Sequence, residues 1–159
     1  MIHDEVDILY VEDDAADVEL TLAAMRRSKM ANTIHIARDG AEALDFLFCR
    51  GEHARREFLA PKFVLLDLKL PKINGLEVLR ALRNDPRTEL VPVVILTSSK
   101  EQRDLIDSYK LHVNSYVQKP VDFEQFQQIV QQLGLYWLIV NQPAPARPLA
   151  TVASGKSGD

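Results

Sequence analysis

Asp67 closes the apolar run Phe63-Val64-Leu65-Leu66, and the acids Glu12-Asp13-Asp14 follow a second run, Val6-Asp7-Ile8-Leu9-Tyr10-Val11. Two buried-strand patterns that finish in carboxylates are the chemically informative feature of the chain. Side by side in a parallel sheet, they bring three or four acids into one pocket at their C-terminal ends. Carboxylates held that close repel unless a cation lies among them. The arrangement predicts a hard divalent metal beside an Asp, and so phosphoryl chemistry.

Further strand ends add to this set. The apolar run Val91 to Leu96 delivers Thr97 and Ser98, and the short run Ser115 to Val117 is followed by Gln118, Lys119 and Pro120. In open parallel sheets ligands lie outside the carboxyl ends of the strands. Acids for a cation, a hydroxyl and a lysine for phosphate oxygens, and an aspartate nucleophile make up a phosphoryl-transfer site. Taken singly, Thr97 is an ordinary β-branched strand residue and Lys119 an edge charge. Their joint placement argues against both readings.

The elements that must position these residues alternate along the chain. Strands are expected at Val6–Val11, Thr33–Ala37, Lys62–Asp67, Val91–Thr97 and Ser115–Val117. Helical spacing covers Ala15–Ser28, Ala41–Cys49, Leu76–Asn84, Lys100–His112 and Phe123–Leu138. Asp13 or Asp14 can cap the first helix. Gly51 to Pro61 is a polar, Arg-rich connection, longer than is usual between a helix and a strand. Five β-α alternations predict an α/β fold, a doubly wound parallel sheet with helices on both faces.

The chain has 159 residues, one domain by size, and is 47% hydrophobic and 26% charged, enough to bury a core. A net charge of −4 argues against a nucleic-acid binder. The single Cys49 excludes an internal disulfide framework, no apolar run approaches the roughly 20 residues that span a bilayer, and the acidic N-terminus carries no signal-peptide pattern. A cytoplasmic protein with no membrane association is expected. Residues 141–159 read as a flexible tail rich in Pro, Ala and Ser after a domain at 1–140.

The motifs together resemble those of the receiver domains of two-component response regulators (CheY-like). They are Val11-Glu12-Asp13-Asp14, Leu65-Leu66-Asp67-Leu68-Lys69-Leu70-Pro71 with Asn74-Gly75, Val93-Val94-Ile95-Leu96-Thr97, and Tyr116-Val117-Gln118-Lys119-Pro120. Their intervals agree as well, with Thr97 30 positions past Asp67 and Lys119 22 past Thr97. The resemblance implies a flavodoxin-like (βα)5 fold with strand order 2-1-3-4-5. It implies that Asp67 accepts a phosphoryl group from a histidine kinase. Asp13, Asp67 and the Lys69 backbone carbonyl would hold Mg²⁺, with Glu12 acting through a metal-bound water. Thr97 and Lys119 would take the phosphoryl oxygens, Tyr116 would be the aromatic switch residue, and the Lys119–Pro120 bond would be cis. Lys69 and Ser99 occupy the family's two variable positions beside the site.

The connection at Gly51–Pro61, the segment Ser108–Asn114 and the ending Tyr136-Trp137-Leu138 are similar to those of single-domain regulators of bacterial phytochrome kinases. That implies a photoreceptor histidine kinase as phosphodonor. An Asp-nucleophile phosphatase is the alternative, but such enzymes want an acid two positions past the nucleophile, where this chain has Lys69. The expectation is therefore a signalling module and not an enzyme, acting through protein contacts or by drawing phosphate from its kinase. The unbroken apolar stretch Leu135–Val140 exceeds what one domain needs to bury. It predicts a homodimer through the fourth and fifth helices, the fifth strand or C-terminal arms. His3, His35, His53 and His112 show no metal-ligand spacing. Arg50, Arg55 and Arg56 read as a solvated basic cluster, and Cys49 as helix packing.

Overall fold

In the computed structural model the described residues are 6–27, 33–69, 74–97, 107 and 110–133. Five strands form one parallel sheet: β1 (Ile8–Val11), β2 (Ile34–Ala37), β3 (Phe63–Asp67), β4 (Val93–Thr97) and β5 (Ser115–Gln118). The order is β2-β1-β3-β4-β5, as expected. Four α-helices are described: α1 (Ala15–Arg27), α2 (Gly40–Leu47), α3 (Gly75–Arg83) and α4 (Phe123–Leu133), with a 3₁₀ turn at Gly51–His53.

Period-two alternation of the strands builds two cores. Ile8, Tyr10, Phe63, Leu65, Val94, Leu96 and Val117 face Val18 and Met25 of α1 and Phe126, Ile129 and Val130 of α4. Leu9, Val11, Val64, Leu66, Val93 and Ile95 face Phe46 and Leu47 of α2 and Val78, Leu79 and Leu82 of α3. β3 and β4 are buried along their whole length because helices cover both faces.

Register then levels the strand ends. Val11 lies beside Leu66, so Glu12 leaves β1 next to Asp67. Asp67 pairs with Leu96 and Thr97 with Gln118, so Thr97 and Lys119 emerge at nearly the same height.

Element ends differ from the sequence expectation where local chemistry overrides hydrophobicity. β4 starts at Val93 because Pro92 has no N–H to give to the ladder, although its carbonyl accepts from Val64 N at 2.9 Å. α2 starts at Gly40, capped by Asp39, whose side chain accepts from Glu42 N. It stops at Leu47, short of Cys49, which takes a left-handed φ of 57° and ends the helix instead of packing within it. Gly51 is also left-handed (φ 57°), and a Cβ there would meet Asp45 Oδ2 at 2.7 Å. The helix expected at Lys100–His112 does not include its last three residues: Lys110 has φ 56° and its N–H donates to Asp107 O at 3.0 Å. Most of that helix, Ser98, Ser99, the arm from residue 134 and the expected tail at 141–159 lie outside the described residues.

The basic cluster is not a solvated loop at Arg56. Its guanidinium stacks 3.8 Å from the Phe46 ring centroid and donates to the Phe46 carbonyl, fastening the long connection to α2. Arg83 does similar work at the other end of the sheet, donating to the carbonyls of His112, Glu89 and Val91 at 3.0, 2.8 and 2.8 Å.

Candidate functional site

β1 runs into the site beside the central strand β3, and its next residue, Glu12, makes one last ladder bond: Glu12 N donates to Ala37 O at 3.0 Å. Glu12 and Asp67 are buried, and Asp13 is exposed. The three carboxylates come together so that one oxygen from each lies within 4.8 Å of the others. Asp14 has the separate job anticipated for it: its Oδ1 accepts from Ala16 N at 2.8 Å and Asp17 N at 3.1 Å, capping α1. The phenol of Tyr10 pins the same helix from below, donating to Thr21 Oγ1 at 3.0 Å. Burial pushes that phenol far above its ordinary pKa and keeps it neutral.

Lys119 reaches into the acids from β5. Its Nζ lies 2.8 Å from Asp17 Oδ2, 3.1 Å from Glu12 Oε1 and 3.1 Å from Asp67 Oδ2. The ammonium stands among the carboxylates as their counter-ion. Burial alone would lower its pKa, but Asp17, Asp67 and Glu12 outweigh burial and raise it, so the charge is permanent. Glu12 moves the other way. Burial, then the hydrogen bond that a protonated Glu12 donates to Asp67 and the repulsion between the two charges, raise it to about 8 against the pull of Lys119. Glu12 Oε1 faces Lys119 as a neighbouring charge and makes no oriented hydrogen bond, while Oε2 accepts from Asp14 N at 3.3 Å.

Such a pocket fits a hard dication. Every donor is oxygen, two acids are crowded enough that one holds a proton near neutrality, and a buried carboxylate oxygen lacks a hydrogen bond. Asp67 is fixed at the mouth. Its Oδ1 accepts from Lys69 N at 3.1 Å, and Gly75 packs against its carbonyl, where a Cβ would come within 2.5 Å of Asp67 O. α3 can approach so closely because residue 75 has no side chain. Asn74 and Glu77 then close a capping box at its start.

The structure brings Glu12, Asp13, Asp67 and Lys119 together, and sets Thr97, buried, at the end of the adjoining strand. Lys119 N donates to Thr97 O at 2.9 Å, and the Lys119–Pro120 bond is cis. Tyr116 is half-buried on β5 with its hydroxyl donating to Asp107 Oδ1 at 3.1 Å.

Two participants escaped the sequence. Asp17 reads there as an acid in a helix's first turn, favourable to the helix dipole, with nothing to link it to Lys119. Gln125 reads as a surface residue of α4. Its Oε1 accepts from Gln118 N at 3.2 Å, and its Nε2 donates to Gln118 O and Pro120 O at 3.3 Å each, holding the turn that carries Lys119.

Among known proteins, the family model of the response regulator receiver domain matches residues 8–131. The bacteriophytochrome response regulator RtBRR is 51% identical with a TM-score of 0.79, over 87% of this chain and 83% of that one. Response regulator Rcp1 of Synechocystis sp. is 39% identical over 82% of this chain and 88% of its own length. The structure of its Mn(2+)-bound form gives a TM-score of 0.66. The probable methanogenesis regulatory protein FilR2 of Methanothrix harundinacea is 41% identical over 87% of this chain and 88% of its own length. With a family model covering most of its length and relatives this similar, the chain belongs to the response regulator receiver domain family and is related to the phytochrome response regulators.

Proposed function

We propose that the chain is a single-domain response regulator that accepts a phosphoryl group on Asp67 from a histidine kinase and signals through protein contacts. The observation that carries this is the convergence of Glu12, Asp13, Asp67 and Lys119 at the carboxyl edge of the sheet. An Asp67 oxygen attacks the phosphorus, the bond from phosphorus to the kinase histidine nitrogen breaks, and that nitrogen keeps the electron pair. Lys119 follows the charge, from the carboxylates to a phosphoryl oxygen, and Thr97 gives its hydroxyl to another. Asp13, Asp67 and the Lys69 carbonyl would hold Mg²⁺, with Glu12 acting through water. The ion supplies charge neutralisation for the incoming phosphoryl group.

The new dianion shifts a two-state equilibrium on the β4–β5 side of the sheet, with Tyr116 as the switch residue. Relatives described as bacteriophytochrome response regulators support a phytochrome-type kinase as phosphodonor. The apolar run at 135–140 supports a homodimer, and a partner kinase on the cytoplasmic side agrees with the absence, among the described residues, of any helix long and apolar enough to cross a membrane.

Incubation with Mg²⁺ and a small acyl phosphodonor tests the central step. The unmutated chain takes up one hydroxylamine-labile phosphate and Asp67→Asn takes up none. Equal labelling of Asp67→Asn would remove the assignment.

A further inference from the structure

At the β2 edge of the sheet, three side chains with metal-binding atoms meet although no sequence spacing connects them. Glu42 Oε2 lies 3.3 Å from His35 Nε2 and 3.9 Å from His53 Nε2, and one donor atom from each of the three lies within 4.8 Å of the others. They come from β2, the first turn of α2 and the 3₁₀ turn. Two imidazole nitrogens and a carboxylate oxygen bound tetrahedrally at 2.0–2.1 Å would stand about 3.3 Å apart, so the Glu42–His35 spacing already fits and His53 must move closer on binding.

The donors are held in place. Phe46 stacks on His35 at 4.1 Å with an interplanar angle of 7°, and meets His53 edge-on at 5.2 Å. Arg38 N donates to Glu42 Oε1 at 3.0 Å, leaving Oε2 turned to the histidines. His35 Nε2 is shut off from solvent and makes no oriented hydrogen bond, even to Glu42. A cavity of about 270 Å³ opens beside Glu42 and His53, lined by these two with Asp39, Ala41, Asp45 and Glu52.

We propose that His35, Glu42 and His53 form a second metal site for a borderline transition dication, best matched by Zn²⁺, with its fourth position open to that cavity. An imidazole-rich donor set discriminates against Mg²⁺, which prefers oxygen, so the two sites would take different ions. Burial, acting first, lowers the pKa of His35 and keeps the ring in the neutral form that ligates, against the pull of Glu42. Arg56, over the outer face of Phe46, opposes a cation, while Asp39, Asp45 and Glu52 around the cavity favour one. Bound metal would clip the connection at 51–61 onto β2 and α2, on a surface separate from Asp67.

The test uses the full, untagged chain stripped with a chelator and held in saturating Mg²⁺, so that the acid pocket is occupied. Zn²⁺ is titrated calorimetrically, and Co²⁺ serves as a visible-absorption probe. The expected result is one Zn²⁺ per chain at micromolar affinity or tighter, an intense tetrahedral Co²⁺ band, and at least about tenfold weaker binding in His35→Gln and His53→Gln. Asp13→Asn should bind Zn²⁺ as the unmutated chain does. Circular dichroism confirms that each variant is folded; His53→Gln changes a residue at the protein's edge and keeps the comparison usable if His35→Gln unfolds. Millimolar affinity, equal binding by His53→Gln, or loss of binding in Asp13→Asn would each overturn the site and leave the cluster as a histidine–glutamate ion pair.

Discussion

Lys119 is the residue on which the acid pocket balances. Its ammonium touches three carboxylates, two of them buried, so it offsets the repulsion that a bound dication would otherwise offset. Lys119→Met removes that charge and leaves Glu12 and Asp67 facing each other. Without divalent ions the variant should lose roughly 1–3 kcal/mol, less than a fully buried pair because Glu12 can hold a proton. Saturating Mg²⁺ should then stabilise the variant more than the unmutated chain, since the ion replaces what the lysine supplied. Urea unfolding with chelator and with Mg²⁺ measures both, and equal metal-induced gains would contradict this account. Glu12, Asp13, Asp67, Thr97 and Lys119 were legible as candidates in the chain because each ends an apolar run or lies within two positions of its end. Asp17 was not, because its link to Lys119 spans 102 positions and rests on how α1 packs over the sheet beside α4.

At the scale of elements, α3 shows how tightly the site depends on its supports. Gly75→Ala would set a Cβ 2.5 Å from Asp67 O and 2.6 Å from Leu68 Cα, both backbone atoms that cannot turn away. The variant should lose about 1–3 kcal/mol and label more slowly with a phosphodonor, because α3 must back away and carry Asp67 with it. Unchanged stability by denaturant titration would show that the helix can slide at no cost.

The turn after α3 makes a prediction in pH. Hydrogen bonds from the Arg87 side chain and backbone N–H hold Asp85 below its ordinary 3.8. A lowered folded value means stability present above pH 3.8 and lost as pH falls through the folded value. Asp85→Asn should therefore be less stable than the unmutated chain from neutrality down to about pH 4, and the gap should close below that. A gap constant from pH 7 to pH 2 would assign the turn's stability to something other than this charge. Element type was readable from periodicity for the five strands and the four described α-helices. Element ends were not, because Pro92, Cys49 and Lys110 set them through a missing donor and left-handed backbone.

For the whole molecule, the apolar arm predicts association. Sedimentation at micromolar concentration should give a dimer, and removal of residues 135–159 should shift it toward monomer; a monomeric full chain, phosphorylated or not, would refute the arm as an interface. The sequence alone determined the α/β alternation, the parallel sheet and the acids that end its strands, because each is written in local hydrophobic period and in the residue next to it. Tertiary structure decided what no local pattern encodes. Register levelled Asp67 with Glu12, and packing of α1 placed Asp17 on Lys119. Folding of the 51–61 connection carried His53 to Glu42 and His35, three residues on three elements whose donor atoms only the closed fold brings within 4.8 Å of one another.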